Sequence, residues 1–356
     1  MPRYFSKIKS ILKFNVKETQ DIITKINLLK NKDIIAIYNP ECLGIMNSTK
    51  DLFGDENTIA IKELLNERQI EYVVEAFSTV KAKQIIFSSI TFGWGKLISK
   101  LHEKRPDIKI KIFWHGAHAM LIQRDESYFF YKVLALLEEK VIYSIAFAKY
   151  SMAEFYTKKG YKSYFLPNTI KSEKLNEIKK RNNTIRKDNK NVYIGLYSAG
   201  ERWEKNTYNQ LSSVSMIKNA IVDIIPVTDL GKSFCKLFNI KINDETLNYM
   251  SREKLLERIK DNDVNMYVTF TECSPMLPLE SLELGVPCIT GNNHNYFKGT
   301  KLFEYLVVDS EDNIDEIAEK LQYAIKNKEE IISLYKSWKK EYDLFVETKF
   351  NEFIGG

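Results

Sequence analysis

Short apolar runs alternate with longer amphipathic segments along most of the chain. Runs rich in β-branched and aromatic residues are typical of buried parallel strands, and they occupy 33–39, 84–88, 109–114, 144–147, 164–168, 192–197, 220–226, 265–270, 288–290 and 306–309. Helical spacing of apolar residues predicts helices over 149–160, 252–260, 312–327 and 328–345. Because strands and helices alternate along the chain, each half is predicted to fold as a parallel α/β domain.

The stretch from Phe270 to Thr290 carries the strongest candidate chemistry. The strand before it is predicted to end at Phe270, and a helix to begin with Ser274 as its N-cap and Pro275 in its first position. Gly285 suits the left-handed residue that ends a helix, and the proline two positions later stops it from continuing.

The start of this helix is a candidate phosphate site, because a helix N-terminus presents free N–H groups and a partial positive charge. Ser274, Met276 and Leu277 can offer backbone N–H groups there, whereas the two prolines between 274 and 279 cannot. Glu272 precedes the helix and Glu280 lies inside it, and carboxylates accept hydrogen bonds from pairs of sugar hydroxyls. For Glu280 alone, an ordinary surface position on an α/β helix is the better interpretation, whereas the whole stretch favours a binding site.

The whole stretch resembles the nucleotide-sugar site of retaining glycosyltransferases with the GT-B fold, in the glycosyl transferases group 1 family (family four). The resemblance rests on Glu272 and Glu280 in an E-x7-E pattern and on the Gly-Val-Pro helix end at 285–287. The chain departs from the family at 273–276, which read Cys-Ser-Pro-Met where many members have Gly-Phe-Gly or Gly-Phe-Pro. The resemblance implies that Glu280 binds the ribose of the nucleotide and that Glu272 contacts hydroxyls of the transferred sugar.

Two cations, Arg202 and Lys205, follow the strand at 192–197 and precede a helix. Loops that follow parallel strands meet at one edge of the sheet, so both cations are expected near the two glutamates. They resemble the Arg/Lys pair that holds the donor diphosphate in the family, and the alternative is a pair of surface cations. This pair can replace a divalent cation, so no metal and no other cofactor is expected. The Asp-Asn-Asp sequence at 261–263 is predicted to be a turn rather than a metal site.

In the first half of the chain, His115 and Gly44 are the candidate cleft residues. His115 follows the strand at 109–114 and precedes a glycine, and the resemblance favours a catalytic position for it. Gly44 lies in the loop predicted after the first strand, where it would allow a ligand to approach the backbone; a plain turn glycine is nearly as good an interpretation. His118 is predicted to be structural, and His294 is a minor candidate.

The resemblance gives the fold class as α/β, with two Rossmann-like domains facing a cleft (GT-B). We expect an N-terminal acceptor-binding domain over 1–170, with about 336–356 returning to it. A basic linker or surface helix over 171–190 follows, and a C-terminal nucleotide-sugar-binding domain spans 191–335.

Composition and charge narrow the class of protein. The chain of 356 residues carries a formal net charge of +6, but the positive excess lies in 1–17 and in 171–190, and the remainder is mildly acidic. This distribution argues against a nucleic-acid partner. The four cysteines are scattered without a C-x-x-C pair, as expected for reduced thiols in the cytoplasm. No signal peptide or membrane-spanning segment is evident.

Residues 4–13 are predicted to form a basic amphipathic helix, in a segment over 1–17 that carries five basic and no acidic residues. Such a helix can lie on an anionic membrane surface or can pack on the N-terminal domain, and the pattern fits both. We therefore expect a cytoplasmic protein, either free or peripheral on the inner face of the membrane.

The predicted activity is transfer of a sugar, with retention, from a nucleotide-diphosphate sugar to a hydroxyl of a glycan or lipid-linked glycan acceptor. Bacterial-type surface polysaccharide synthesis is the expected setting, and a UDP-sugar is the commonest donor in the family. The alternatives are a non-catalytic nucleotide-sugar-binding protein or partner subunit, and a nucleotide-sugar epimerase. A nicotinamide oxidoreductase is disfavoured because no G-x-G-x-x-G segment occurs.

Overall fold

A computed structural model describes residues 16–64, 66–182, 190–198 and 202–356. These residues divide into two compact units, one running up to Asn168 and including Thr348–Gly356, and the other comprising Thr169–Glu347. The predicted N-terminal basic helix and positions 183–189 of the predicted linker lie outside the described residues. None of the helices in the described part is long and apolar enough to cross a membrane.

The first unit contains a six-stranded parallel sheet in the order β2-β1-β3-β4-β5-β6. Its strands are β1 (Ile34–Tyr38), β2 (Thr58–Ala60), β3 (Gln84–Ser88), β4 (Lys109–Trp114), β5 (Ser144–Phe147) and β6 (Ser163–Phe165). Its helices are α1 (Val16–Leu28), α2 (Leu43–Phe53), α3 (Glu67–Ser78), α4 (Trp94–Lys104), α5 (Arg124–Glu138) and α6 (Tyr150–Lys158), with short 3-10 turns at Asp55–Asn57 and His118–Ile122.

The core of the first unit forms where apolar helix faces meet the central strands. In α3 the buried positions follow a 3.6-residue period, and they are Ile70, Val73, Val74, Ala76 and Phe77. Asn66 caps this helix by accepting a hydrogen bond from the backbone N–H of Arg68 at 2.9 Å. Burial of such a face, rather than helix propensity, fixes where the helix lies on the sheet.

A buried lysine joins the end of the chain to the first sheet. The ammonium of Lys111 in β4 donates hydrogen bonds to the carbonyls of Phe353 at 2.6 Å and Ile354 at 3.1 Å. These are among the last carbonyls of the C-terminal helix, which lack partners within the helix and attract a cation. Burial, with the charges of Lys109 and Lys162, lowers the pKa of Lys111 to about 8.

The second unit contains a five-stranded parallel sheet in the order β11-β10-β7-β8-β9. Its strands are β7 (Val192–Tyr197), β8 (Ala220–Ile225), β9 (Lys241–Ile242), β10 (Val264–Tyr267) and β11 (Cys288–Thr290). Its helices are α7 (Ser172–Lys180), α8 (Thr207–Ser215), α9 (Asp229–Leu237), α10 (Arg252–Asp261), α11 (Met276–Glu283), α12 (Lys301–Leu306), α13 (Ile314–Lys326) and the start of α14 (Lys328–Gly355), with a 3-10 turn at Trp203–Lys205.

Two parallel sheets confirm the predicted α/β class, and several details differ from the prediction. The predicted strand at 306–309 is wrong: α12 continues through Leu306, and only Val307 makes a single parallel bridge, to Thr290. The short strands β2 and β9 were not predicted, because three and two residues carry no readable period. The chain enters the second unit at Thr169 and returns to the first at Thr348. The sequence predicted a linker over 171–190, a second domain over 191–335 and a return to the first domain at about 336.

Candidate functional site

Strand β10 lies between β7 and β11, so the loops that follow these three strands are neighbours at one edge of the second sheet. The loop after β7 carries Arg202 and Lys205, and the loop after β10 carries Glu272 and leads into α11. In open parallel sheets this edge is where ligands bind. The candidate site of the second unit is therefore built from the residues of these loops.

Lys205 and Glu272 form an ion pair within this site, and both side chains are largely buried. Tyr267, the last residue of β10, bridges them: its hydroxyl accepts a hydrogen bond from Lys205 Nζ at 2.8 Å and donates one to Glu272 Oε1 at 2.7 Å. Burial raises the pKa of Tyr267 well above its usual value, and the negative charge of Glu272 adds to this rise. Tyr267 consequently stays protonated and orients the carboxylate.

Arg202 lies on the same loop and is about half exposed. Its Nε is 3.0 Å from Oε1 of Glu204, a carboxylate that is only 1% exposed. The contact is an ion pair by distance, yet neither carboxylate oxygen of Glu204 accepts a hydrogen bond with good geometry from the described residues. A buried carboxylate of this kind depends on the neighbouring guanidinium for its charge balance.

Glu280 is paired with a residue that the sequence did not single out. Its Oε1 accepts a hydrogen bond from Arg252 Nε at 2.8 Å, and the Arg252 Nη2 atom is 2.6 Å from the same oxygen. Arg252 is the first residue of α10. The sequence signal for its position is the preceding Ser251, which is the N-cap of that helix. The two glutamates of the E-x7-E pattern are thus each held by a cation from a different element.

Helix α11, which contains Glu280, begins one residue later than predicted. Pro275, with φ −66° and ψ 135°, occupies the N-cap position, and Met276 is the first helical residue. Ser274 is not the N-cap, because its hydroxyl forms a 2.7 Å hydrogen bond with the Tyr296 hydroxyl, a contact that joins two loops. Met276 and Leu277 lie in the first turn, where backbone N–H groups have no partner within the helix.

The candidates of the first half of the chain belong to the first unit, and the residues above belong to the second. His115 is half-buried against the Phe113 ring, with ring centroids 4.0 Å apart, and its Nε2 atom is buried without a hydrogen-bond partner in the described part of the chain. Burial lowers the pKa of His115 to about 3, so the ring is neutral at pH 7. His118 lies 3.1 Å from the Tyr156 hydroxyl through Nε2.

Gly44 was predicted to lie in a loop, but it is the second residue of α2. A Cβ atom at this position would meet nothing within 4 Å. The open space is compatible with close approach of a ligand, and neither packing nor an unusual backbone angle requires glycine there.

His294 and Asp263 of the Asp-Asn-Asp sequence make hydrogen bonds within the second unit. His294 Nδ1 accepts a hydrogen bond from the Tyr296 N–H at 3.2 Å, and its Nε2 is 2.5 Å from the Thr290 hydroxyl. Asp263 accepts a hydrogen bond from the Tyr193 N–H at 2.8 Å in the turn before β10. Among the described residues, no group of three or more His, Cys, Asp and Glu side chains is placed to hold a metal ion.

A buried polar network lies next to the site and was not predicted. Asp223 in β8 is fully buried and pairs with the Arg258 guanidinium of α10. Its Oδ2 also accepts a hydrogen bond from the Tyr197 hydroxyl at 2.7 Å, and its Oδ1 accepts one from Asn243 Nδ2 at 2.9 Å. The network fixes α10, and with it Arg252, against the sheet.

The comparisons with known proteins concern structure rather than sequence. No protein-family model and no curated protein sequence matches the chain. An α,α-trehalose-phosphate synthase (UDP-forming) from Burkholderia xenovorans, solved with glucose-6-phosphate, matches with a TM-score of 0.63 and 10% identity, over 90% of this chain and 99% of that chain.

Two further solved structures are similar at comparable identity. Sucrose-phosphate synthase from Thermosynechococcus elongatus matches with a TM-score of 0.57 and 12% identity, over 82% of this chain and 79% of that chain. The N-terminal domain of Candida albicans trehalose-6-phosphate phosphatase matches with a TM-score of 0.52 and 12% identity, over 94% of both chains. At these identities the likeness shows the fold alone, which is GT-B with two Rossmann-like units.

Proposed function

We propose that the protein is a glycosyltransferase that moves a sugar from a nucleotide-diphosphate sugar to a hydroxyl of an acceptor. One observation carries the proposal: Lys205 and Glu272, from the loops that follow β7 and β10, form an ion pair just before α11 begins. In open parallel sheets, ligands bind at the edge that carries such loops. A cation, a carboxylate and a helix N-terminus are the groups that a sugar diphosphate requires.

Each group has a proposed role toward the donor. Lys205, Arg202 and the backbone N–H groups of Met276 and Leu277, with that of Ser274 beside them, bind the diphosphate. Glu280 accepts hydrogen bonds from the ribose hydroxyls, and Glu272 accepts them from the transferred sugar. The ion pairs to Lys205 and Arg252 hold both carboxylates in place before the donor arrives, which reduces the cost of ordering them on binding.

The proposed reaction retains the anomeric configuration. The bond between the anomeric carbon and the diphosphate oxygen breaks while the acceptor hydroxyl attacks the same face, and a leaving phosphate oxygen takes the acceptor proton. Arg202, Lys205 and the helix N-terminus stabilise the charge that develops on the diphosphate. Two protein cations are proposed to supply this stabilisation, so that no metal is required. His115, which is neutral at pH 7, and Gly44 stay the candidate residues of the first unit.

A uridine diphosphate sugar is the proposed donor, because the sequence resemblance favours it and because one structural neighbour bears the name of a UDP-forming synthase. The proposed acceptor is a glycan or lipid-linked glycan of surface polysaccharide synthesis. The protein is proposed to work in the cytoplasm, free or peripheral on the membrane through residues 1–17.

Release of the nucleoside diphosphate tests the proposal. The protein is incubated with UDP-glucose, UDP-galactose, UDP-N-acetylglucosamine or GDP-mannose, and with sugar acceptors that include glucose-6-phosphate. We expect release from at least one donor, and its loss in Lys205→Met but not in Lys218→Met, which changes an exposed lysine of the same unit. Conversion of the nucleotide sugar without release of diphosphate would indicate an epimerase instead.

A second candidate is a nucleotide-sugar-binding protein without transfer activity. It is favoured by the fact that both site carboxylates already have a cation partner within the chain, which is an arrangement that stability alone can explain. A raised melting temperature with a nucleotide sugar, together with no release under any acceptor condition, would support this candidate over the enzyme.

A further inference from the structure

Two aromatic rings are exposed beside the Lys205–Glu272 ion pair. Trp203 is 54% exposed and Phe270 is 39% exposed, whereas Trp94 and Trp114 are buried in the first unit. The rings of Trp203 and Phe270 lie nearly parallel, with centroids 6.5 Å apart and an angle of 22° between their planes.

Short backbone connections fix these rings to the site. Trp203 precedes Lys205 by two residues in the same 3-10 turn, and Phe270 precedes Glu272 by two residues in the loop after β10. The Phe270 N–H donates a hydrogen bond to the Glu204 carbonyl at 2.9 Å, which joins the two loops next to the rings. The aromatic pair and the ion pair therefore lie on the same two loops, which this hydrogen bond joins.

The chemistry of this surface fits one class of ligand. A pyranose ring has C–H groups on its faces and hydroxyls around its rim, and C–H groups with partial positive charge are attracted to the negative face of an aromatic ring. Arg202 and Glu272, beside the rings, can hydrogen-bond with the hydroxyls of the rim. Glu280, the carboxylate proposed to bind the ribose, lies in α11 and is paired with Arg252 of α10. The nucleoside is therefore expected to bind to other residues than the two rings.

We propose that Trp203 and Phe270 form a stacking platform for a pyranose ring at the edge of the donor site. The inference rests on the proposed function for the identity of the site, and the pyranose comes from either the donor sugar or the acceptor sugar. An exposed ring pair of this kind gains binding energy from a sugar that covers it, and the residues that orient the sugar are already next to it.

Tryptophan fluorescence tests the platform without depending on catalysis. Of the four tryptophans, Trp203 is the most exposed, so acrylamide quenching reports mainly on this residue. Quenching is measured with UDP, with the four nucleotide sugars of the activity assay and with maltose, in the wild type and in Trp203→Phe. Melting temperatures are recorded for the same mixtures.

The protection of Trp203 from quenching by each probe shows whether a donor pyranose, an acceptor pyranose or no pyranose covers the rings. Protection of Trp203 by a nucleotide sugar beyond that given by UDP supports a donor pyranose on the platform, and protection by maltose supports an acceptor pyranose. Equal protection by UDP alone would mean that a nucleobase covers the rings and would overturn the inference. Absence of protection by every probe would overturn it too; if a nucleotide sugar still raises the melting temperature, the proposed function survives that failure. Protection by maltose with no effect of any nucleotide sugar would keep the platform and reject the nucleotide-sugar site.

Steady-state kinetics supply a second test, because a loss of folding stability alone would not change KM. Trp203→Ala is expected to raise KM for the sugar that stacks about fivefold, since aromatic stacking is worth about 1 kcal/mol, and Trp203→Phe is expected to restore most of the loss. Tyr249→Ala, which removes another exposed aromatic ring of the second unit, is the matched control. An unchanged KM for both substrates in Trp203→Ala would contradict the platform.

Discussion

Lys205 and Glu272 are 67 positions apart in the chain, and their side chains form a largely buried ion pair in the second unit. The hydroxyl of Tyr267 completes the pair by contacting both charged groups. Taking two charges out of water is costly unless they are paired and hydrogen-bonded, as they are here. The pair therefore holds the loop after β7 and the loop after β10 together at the edge of the sheet.

Replacing Lys205 with methionine should lower turnover by about 100-fold or more, because it removes the charge that is proposed to stabilise the leaving diphosphate. The single change also leaves the buried Glu272 carboxylate without the positive charge of Lys205, at a cost of about 3 kcal/mol in unfolding free energy. The double variant Lys205→Met with Glu272→Gln should recover much of this stability without recovering turnover. Recovery of both would mean that the pair is only structural.

Replacing Arg202 with alanine should also reduce turnover by about two orders of magnitude, since its guanidinium is proposed to bind phosphate oxygens. The rate of nucleoside diphosphate release measures the effect. Arg181→Ala is the control, because Arg181 makes ion pairs with Glu253 and Glu257 instead. Near-normal rates in Arg202→Ala would remove this residue from the site.

Replacing Glu280 with glutamine should raise KM for the nucleotide sugar about tenfold and leave turnover at saturation nearly unchanged. A hydrogen bond to a charged group is worth roughly 1.5–3 kcal/mol, and an amide keeps part of it. Glu283→Gln is a matched control on the same helix, where Glu283 pairs with Lys179 at 2.8 Å. Equal KM values in both variants would contradict a ribose contact by Glu280.

Asp223 should matter for stability rather than for chemistry. Replacing this fully buried carboxylate with alanine leaves Arg258 without its partner, and breaking such a pair costs about 3 kcal/mol. For a domain of this size the melting temperature should fall by roughly 6–12 °C. The exposed Asp229→Ala should change it little, and a similar small change in Asp223→Ala would show that the network contributes nothing.

His115 should remain neutral from pH 5 to pH 8, because burial lowers its pKa to about 3. Its folded pKa lies below that of an unfolded histidine, so the unfolded chain binds more protons between these two values. The contribution of His115 to the unfolding free energy is therefore complete above about pH 6.5 and decreases as the pH falls toward 3.

Nuclear magnetic resonance measures this titration directly. The ring resonance that disappears in His115→Gln should not move between pH 5 and pH 8 in the wild type. The variant should also lose less stability than the wild type on acidification. A midpoint near pH 6.5 for this resonance would rule out a neutral, buried ring.

Most of the strands could be predicted from the sequence, because their side chains are buried. Both faces of a central parallel strand are covered, so segments such as 84–88, 109–114 and 192–197 read as apolar runs whose ends match the observed strands. Where few residues are buried, the signal is weak: β9 has two residues, one of them exposed, and was missed.

The site was predicted less completely, because its partners are set by tertiary contacts. Arg252 and Glu280 are 28 positions apart in the chain, and no local sequence pattern predicts that they form a pair. Ser274 has the composition of an N-cap, but the Tyr296 hydroxyl, 22 positions away, engages it and the helix begins later. The roles assigned to the site residues remain predictions from the resemblance and from this geometry.

Thermal denaturation with a panel of nucleotide sugars tests the central claim most directly, because a ligand that binds only the native state raises the melting temperature by mass action. At a ligand concentration 100 times Kd, the stabilisation is about 2.7 kcal/mol. We predict that at least one nucleotide-diphosphate sugar raises the melting temperature of the wild type by several degrees, and that this shift is lost in Lys205→Met but kept in Lys218→Met. A shift that persists undiminished in Lys205→Met, or no shift with any nucleotide sugar, would contradict the account.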